Sequence, residues 1–138
     1  MMEANLHWTG GMQFVCEADS GHAVVIDGPP DIGGRNSGVR PMEMILMGLG
    51  GCASVDVVHI LKRARQNVEN VDVKVAAERA DSDPKVFTKI NLHFAIKGEG
   101  LSEKQVARAV TLSAEKYCSA SIMLRPTVDI THSHEIIE

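Results

Sequence analysis

Three cysteines, Cys16, Cys52 and Cys118, are the residues of this chain best suited to covalent chemistry, and their settings differ. Cys52 sits in the apolar run "PMEMILMGLGGCASVDVVHIL", residues 41–61, directly after Gly50 and Gly51 and close to Gly48. A glycine inside a helix costs roughly 1 kcal/mol relative to alanine, so three together imply a close approach beside Cys52. Asp56 follows at i+4, on nearly the same helical face. The thiolate is the reactive form of cysteine, and a neighbouring carboxylate opposes it. A reactive Cys52 therefore needs a cation to counter Asp56, or Asp56 must pair elsewhere. The nearest cations that precede Cys52 in sequence are Arg40 and Arg35, in the loop before the run. Cys118 follows Tyr117 at the expected C-terminal end of a second helix, where the helix dipole disfavours an anion. That setting suits a resolving thiol better than an attacking one. In a peroxide-reducing pair, one thiolate attacks the O–O bond and becomes a sulfenic acid, and a second thiol condenses with it to a disulfide. On residue types alone, cysteines acting as small buried hydrophobes are the simpler account.

The remaining candidates carry less chemistry. His132 and His134 share one face of a final strand, a spacing compatible with a metal but expected to be solvated. His59 lies on the face of Cys52, about 10 Å along the helix axis, and is expected to pack between helices. The cysteines lack the C-x-x-C spacing of a zinc site, and no phosphate loop, nucleotide fingerprint or serine triad is present, so no cofactor is expected. A net charge of -4 argues against a nucleic-acid surface. The N-terminus has neither the basic start nor the apolar stretch of a secretory signal, so a cytoplasmic location is expected. Residues 41–61 approach membrane-spanning length, but Glu43, Asp56 and His59 interrupt them, which favours a core helix over a membrane span.

The elements that must position these residues follow from periodicity. With 138 residues, 44% of them hydrophobic, one domain is expected over residues 1–138. Turn signals at Thr9-Gly10-Gly11 and Asp19-Ser20-Gly21 divide residues 1–27 into a three-stranded meander, with Cys16 beside Phe14 on the expected core face. "GPPDIGGRNSGVRP" is a long irregular loop, of a length that is often functional. Pro41 suits a first helical turn and Lys62, Arg63 and Arg65 a last one, which predicts a long helix over residues 41–66. Being apolar on nearly every side, it should be surrounded by protein. Val71, Val73, Val75 and Ala77 alternate with polar residues, as do Ile90, Leu92, Phe94 and Ile96, predicting an antiparallel hairpin. Ser102 and Gln105 form a capping box opening a second helix that ends near Cys118, and "TVDITHSHEII" is the last strand. This order describes an α+β domain with antiparallel sheets and no parallel crossover series.

The whole arrangement resembles the OsmC/Ohr family, named for osmotically inducible and organic hydroperoxide resistance proteins. The resemblance rests on "W-T-G" near the start, "GG-x3-G-x2-P" before the long helix and "GGC" within it. It extends to "DPKVFTKINLHFAIKGEGL" on the hairpin and "YCSAS" after the second helix, and so covers nearly all of the chain, most closely its OsmC-like branch. It implies an intertwined α+β homodimer with a long buried central helix and active sites at the subunit interface. It also implies reduction of small apolar organic hydroperoxides, in oxidative-stress defence, through an attacking cysteine matching Cys52 and a resolving one matching Cys118. A dithiol reductant such as a lipoylated protein would then reopen the disulfide. The glycines would let the second helix and the substrate reach Cys52. Two positions depart from the family pattern. The glutamate that follows the proline eleven residues before the cysteine is replaced by Met42, with the acid one step on at Glu43, which lies on roughly the opposite helical face from Cys52. The thiol-activating arginine of the first hairpin is absent from "TGGMQ", leaving Arg35 or Arg40 as substitutes. The competing reading is a non-catalytic OsmC-like protein that binds a small apolar molecule or senses redox state.

Overall fold

A computed structural model describes all of residues 1–138, which fall into two compact units, Met1–Leu46 and Met47–Glu138. In the first unit the turn signals act as expected. Strands β1 (Ala4–Trp8), β2 (Phe14–Ala18) and β3 (Ala23–Ile26) form an antiparallel sheet in the order β1-β2-β3. Cys16 is half-buried on β2, paired with Leu6 on one side and Val24 on the other. The sheet covers none of its own strands fully: Leu6, Trp8, Val24 and Val25 are all exposed.

The Gly- and Pro-rich loop is more ordered than its composition suggests. Asp27, almost wholly buried, accepts hydrogen bonds from the backbone N–H groups of Gly28, Arg35 and Ser37 and from the Ser37 hydroxyl, at 2.8–3.1 Å. Those donors hold its carboxyl down at about 2 against an ordinary 3.8. One turn of 3-10 helix, Pro30–Ile32, lies inside the loop so gathered.

Helix α1 (Pro41–Arg63) begins in the first unit and continues through the second. It ends earlier than the expected residue 66 because Arg65 takes a left-handed conformation (φ 58). The Arg65 and Gln66 N–H groups then donate to the carbonyls of Lys62 and Leu61, closing the end as a Schellman turn. In the second unit α1 buries Leu49, Gly50, Ala53, Val57 and Leu61. The helix is long and apolar enough to cross a membrane, and only 28% of its most apolar window is buried within the chain. Enclosure on every side, as its composition predicts, is therefore not provided by this chain alone: Met47 and Val55 are exposed.

Strands β4 (Val68–Arg79) and β5 (Phe87–Gly98) pair antiparallel, Val73 opposite Phe94 and Val75 opposite Leu92. Ile90, Leu92, Phe94 and Ile96 of β5 are buried in strict alternation, and Val106, Ala109 and Val110 of α2 (Glu103–Leu112) are buried at helical spacing. The N-cap of α2 is Ser102, whose hydroxyl accepts from the Gln105 N–H. The helical stretch does not simply stop near Cys118. A π-helical turn, Ser113–Tyr117, is followed by a third helix, α3 (Ser119–Leu124), for which the periodicity gave no signal. Strand β6 (Asp129–Ile137) then pairs parallel to β5, where an antiparallel sheet was expected. The helices after β5 carry the chain back to the end where β5 began, and such a return produces parallel pairing.

Candidate active site

One face of α1 carries a line of polar side chains. Cys52, Asp56, His59 and Arg63 stand at i, i+4, i+7 and i+11, within an arc of about 60° around the axis of a mainly apolar helix. The chain that follows α2 is tied to this face. Ser113, fully buried, donates from its hydroxyl to the Ala53 carbonyl at 3.1 Å and accepts at its own carbonyl from the Cys118 N–H at 2.8 Å. The result is a cluster in which the sulfur of Cys52, a carboxylate oxygen of Asp56 and the sulfur of Cys118 all lie within 4.8 Å of one another.

The two thiols have unequal surroundings. Cys52 is half-buried and Cys118 wholly so. Burial pushes the Cys118 thiol up, and the nearby Cys52 adds to that; hydrogen bonds from Ser121 act the other way. Cys118 stands at the C-terminus of the π-helical turn, as the sequence suggests, with its N–H donating to the Ser113 carbonyl, and a second helix begins at the same residue. It also caps the N-terminus of α3, its sulfur accepting from the Ser121 N–H at 3.4 Å. Asp56 is raised by burial, with His59 opposing, and its Oδ2 atom is buried without a hydrogen-bond partner. Next to the cluster lies a cavity of about 660 Å3, lined by Asp56, His59, Arg63, Arg108, Leu112 and Tyr117 among others. His59, expected to pack between helices, is exposed on this cavity wall. Arg63 and Arg108 were not singled out from sequence as site residues. The i+11 spacing from Cys52 was the available signal for Arg63; nothing local marks Arg108, which arrives from α2.

Of the other sequence candidates, Arg35, Arg40 and Glu43 belong to the first unit and are engaged there. The Arg40 guanidinium donates to Asn36 Oδ1 at 3.2 Å and to the Gly38 carbonyl at 3.1 Å. The Arg35 guanidinium packs on Gly11, within 3.8 Å of where a β-carbon there would stand. Glu43 reaches back to accept from the Arg40 N–H at 2.8 Å, closing the first turn of α1 as a capping residue. The histidines of β6 are not simply solvated. His132 stacks on Phe94 with ring centroids 6.4 Å apart, its Nε2 buried without a partner and its pKa lowered by burial. His134 pairs with Glu103 at 2.7 Å. The glycines divide: a β-carbon on Gly50 would stand 2.8 Å from Val75 Cγ2, while at Gly48 and Gly51 it would meet nothing within the chain. The room at Gly50 is thus required by β4 and not by the second helix.

The family model for OsmC-like proteins matches residues 34–133. The chain belongs to the OsmC-like family. It is 48% identical over 139 residues to Protein YhfA of Escherichia coli strain K12, an alignment covering 99% of this chain and 98% of that protein. Among solved structures, a hypothetical protein from Aquifex aeolicus VF5 superimposes with a TM-score of 0.87 at 31% identity, over 99% of this chain and 96% of that one. An organic hydroperoxide resistance protein OsmC from Legionella pneumophila gives a TM-score of 0.73 at 22% identity, over 98% of this chain and 96% of that one, a likeness of fold. The α+β fold read from the OsmC-like motifs is therefore the observed one.

Proposed function

We propose that this chain reduces organic hydroperoxides by a two-cysteine mechanism, with Cys52 attacking and Cys118 resolving. The observation that carries the reading is the meeting of the two sulfurs and one carboxyl within 4.8 Å, from segments far apart in sequence. Membership of a family whose named structural neighbours include organic hydroperoxide resistance proteins supports it. Cys52 is the attacking residue because it is the less buried of the two, whereas burial keeps Cys118 as a thiol until needed. The Cys52 thiolate attacks the terminal oxygen of R–O–O–H. The O–O bond breaks, sulfur keeps the hydroxyl as a sulfenic acid, and the alkoxide takes a proton to leave as R–OH. Asp56, whose carboxyl burial raises above its ordinary range, is the group beside both sulfurs that supplies that proton. The Cys118 sulfur then attacks the sulfenic sulfur, forming the S–S bond and releasing water, and a dithiol reductant reopens the disulfide. The adjoining cavity admits the substrate, and Arg63 and Arg108 give its wall a positive potential.

The working form in this reading is a homodimer in the reducing cytoplasm. Its support is the apolar surface that one chain leaves open on α1 and on the β1-β2-β3 sheet. Sedimentation equilibrium of the full chain tests it, and a monomer at micromolar concentration would refute it. For the chemistry, reduced protein is mixed with cumene hydroperoxide and a dithiol while peroxide loss and intact mass are followed. Catalytic peroxide consumption with an intramolecular disulfide intermediate is expected. No peroxide consumption with any dithiol would overturn the enzyme reading, and a disulfide that forms once without recycling would mark a sensor instead.

A further inference from the structure

The cluster that serves a thiol peroxidase is also a set of metal donors. We propose that Cys52, Cys118 and Asp56 bind one thiophilic divalent cation, Zn2+, and that metal binding and disulfide formation exclude each other. The second half rests on the peroxidase reading, and the first stands without it. No spacing in the sequence announces such a site, because two of its donors lie one helical turn apart on α1 and the third arrives from beyond α2. The donor atoms lie within 4.8 Å of one another. A tetrahedral ion with Zn–S bonds of about 2.3 Å needs its donors about 3.8 Å apart, so side-chain adjustments of under about 1 Å complete the geometry.

The donor types select the metal. Two sulfurs favour zinc over magnesium or calcium, which prefer oxygen donors, and the carboxylate completes a three-ligand site with its fourth position left for water. The Asp56 Oδ2 atom is buried and makes no hydrogen bond, so an ion there would satisfy an atom that nothing in the chain satisfies. Three anionic donors around a divalent ion leave one excess negative charge, and Arg63, Arg108 and His59 line the cavity beside it. Binding replaces the thiol protons, which pass to solvent, and changes the oxidation state of neither metal nor sulfur. In the disulfide each sulfur is committed to the S–S bond and is no longer anionic. Oxidation therefore removes both soft ligands together, while bound metal withholds the nucleophile from hydroperoxide.

The test uses the full chain, reduced and stripped of metal, titrated with Zn2+ against a chromophoric chelator and with Co2+ as a spectroscopic probe. One ion per chain with a dissociation constant below about 1 µM is expected, with a thiolate-to-Co2+ charge-transfer band and visible bands of tetrahedral intensity. Protein carrying the Cys52–Cys118 disulfide should show none of these. Asp56→Asn should weaken Zn2+ binding about tenfold or more while keeping the thiolate band. Absence of that band in the unaltered reduced protein, equal Zn2+ affinity of reduced and oxidised protein, or equal affinity of Asp56→Asn would each overturn the proposal. The two readings fail separately. Metal-free protein that turns over hydroperoxide without binding Zn2+ refutes only the metal site, and protein that binds Zn2+ through both thiols without consuming peroxide refutes only the peroxidase.

Discussion

Gly50 offers the sharpest test of how α1 sits in its own unit. Replacing it with alanine gains about 1 kcal/mol of helix propensity, the gain any open helical glycine would give. Here, however, the new β-carbon would stand 2.8 Å from Val75 Cγ2, well inside ordinary carbon–carbon contact. Val75 is β-branched and its χ1 is stiff, so the strain falls on the α1–β4 packing at a typical overpacking cost of about 1–3 kcal/mol. The net expectation for Gly50→Ala is a loss of about 1 kcal/mol, or a fall in Tm of about 3–5 °C in a domain of this size. Val75→Ala removes the clashing methyl, so the double variant should be more stable than the two single effects predict, with a coupling of about 1–3 kcal/mol. Urea denaturation of the four proteins measures this directly. Gly51→Ala is the control, because its β-carbon meets nothing within the chain. A stabilised Gly50→Ala protein, or a coupling to Val75 below about 0.5 kcal/mol, would refute this account of the glycine.

Three further expectations follow from the site and the loop. Cys118→Ser should still react once with hydroperoxide but stop at a Cys52 sulfenic acid that a dimedone probe traps, with no disulfide in the intact mass. Asp56→Asn removes the carboxyl proton and should lower the rate of alkoxide release about 100-fold, read as single-turnover peroxide loss; an unchanged rate would exclude Asp56 as proton donor. Asp27 has a folded-state value of about 2, below its ordinary 3.8. Its contribution to stability is therefore present above pH about 4 and lost as pH falls toward about 2. Asp27→Asn should flatten stability over that window, as measured by urea midpoints at pH 2 to 5. An equally steep acid dependence in the variant would show that Asp27 is not its source.

The sequence alone determined the elements that local chemistry controls. Strict alternation placed β4 and β5, Ser102 and Gln105 opened α2, and the apolar run after Pro41 fixed α1 to within a few residues at its end. Residue types and a family resemblance also picked out Cys52 and Cys118 as a pair, although no spacing along the chain joins them. Only tertiary structure decided what surrounds that pair. Cys118 reads as the end of one helical stretch, and only the structure shows that α3 starts at the same residue, with the Ser121 N–H donating to its sulfur. Arg108 joins Arg63 only because residues of α2 and α1 line one cavity, whereas Glu43 and Arg40, far nearer to Cys52 in sequence than Arg108 is, are taken up in capping α1 and ordering its entry loop. The parallel placement of β6 likewise depends on the route through α2 and α3. Hydrogen bonds and periodicity act over a few residues and leave their mark in the sequence. Burial and electrostatic potential sum over everything that folding brings near, and they leave no local mark at all.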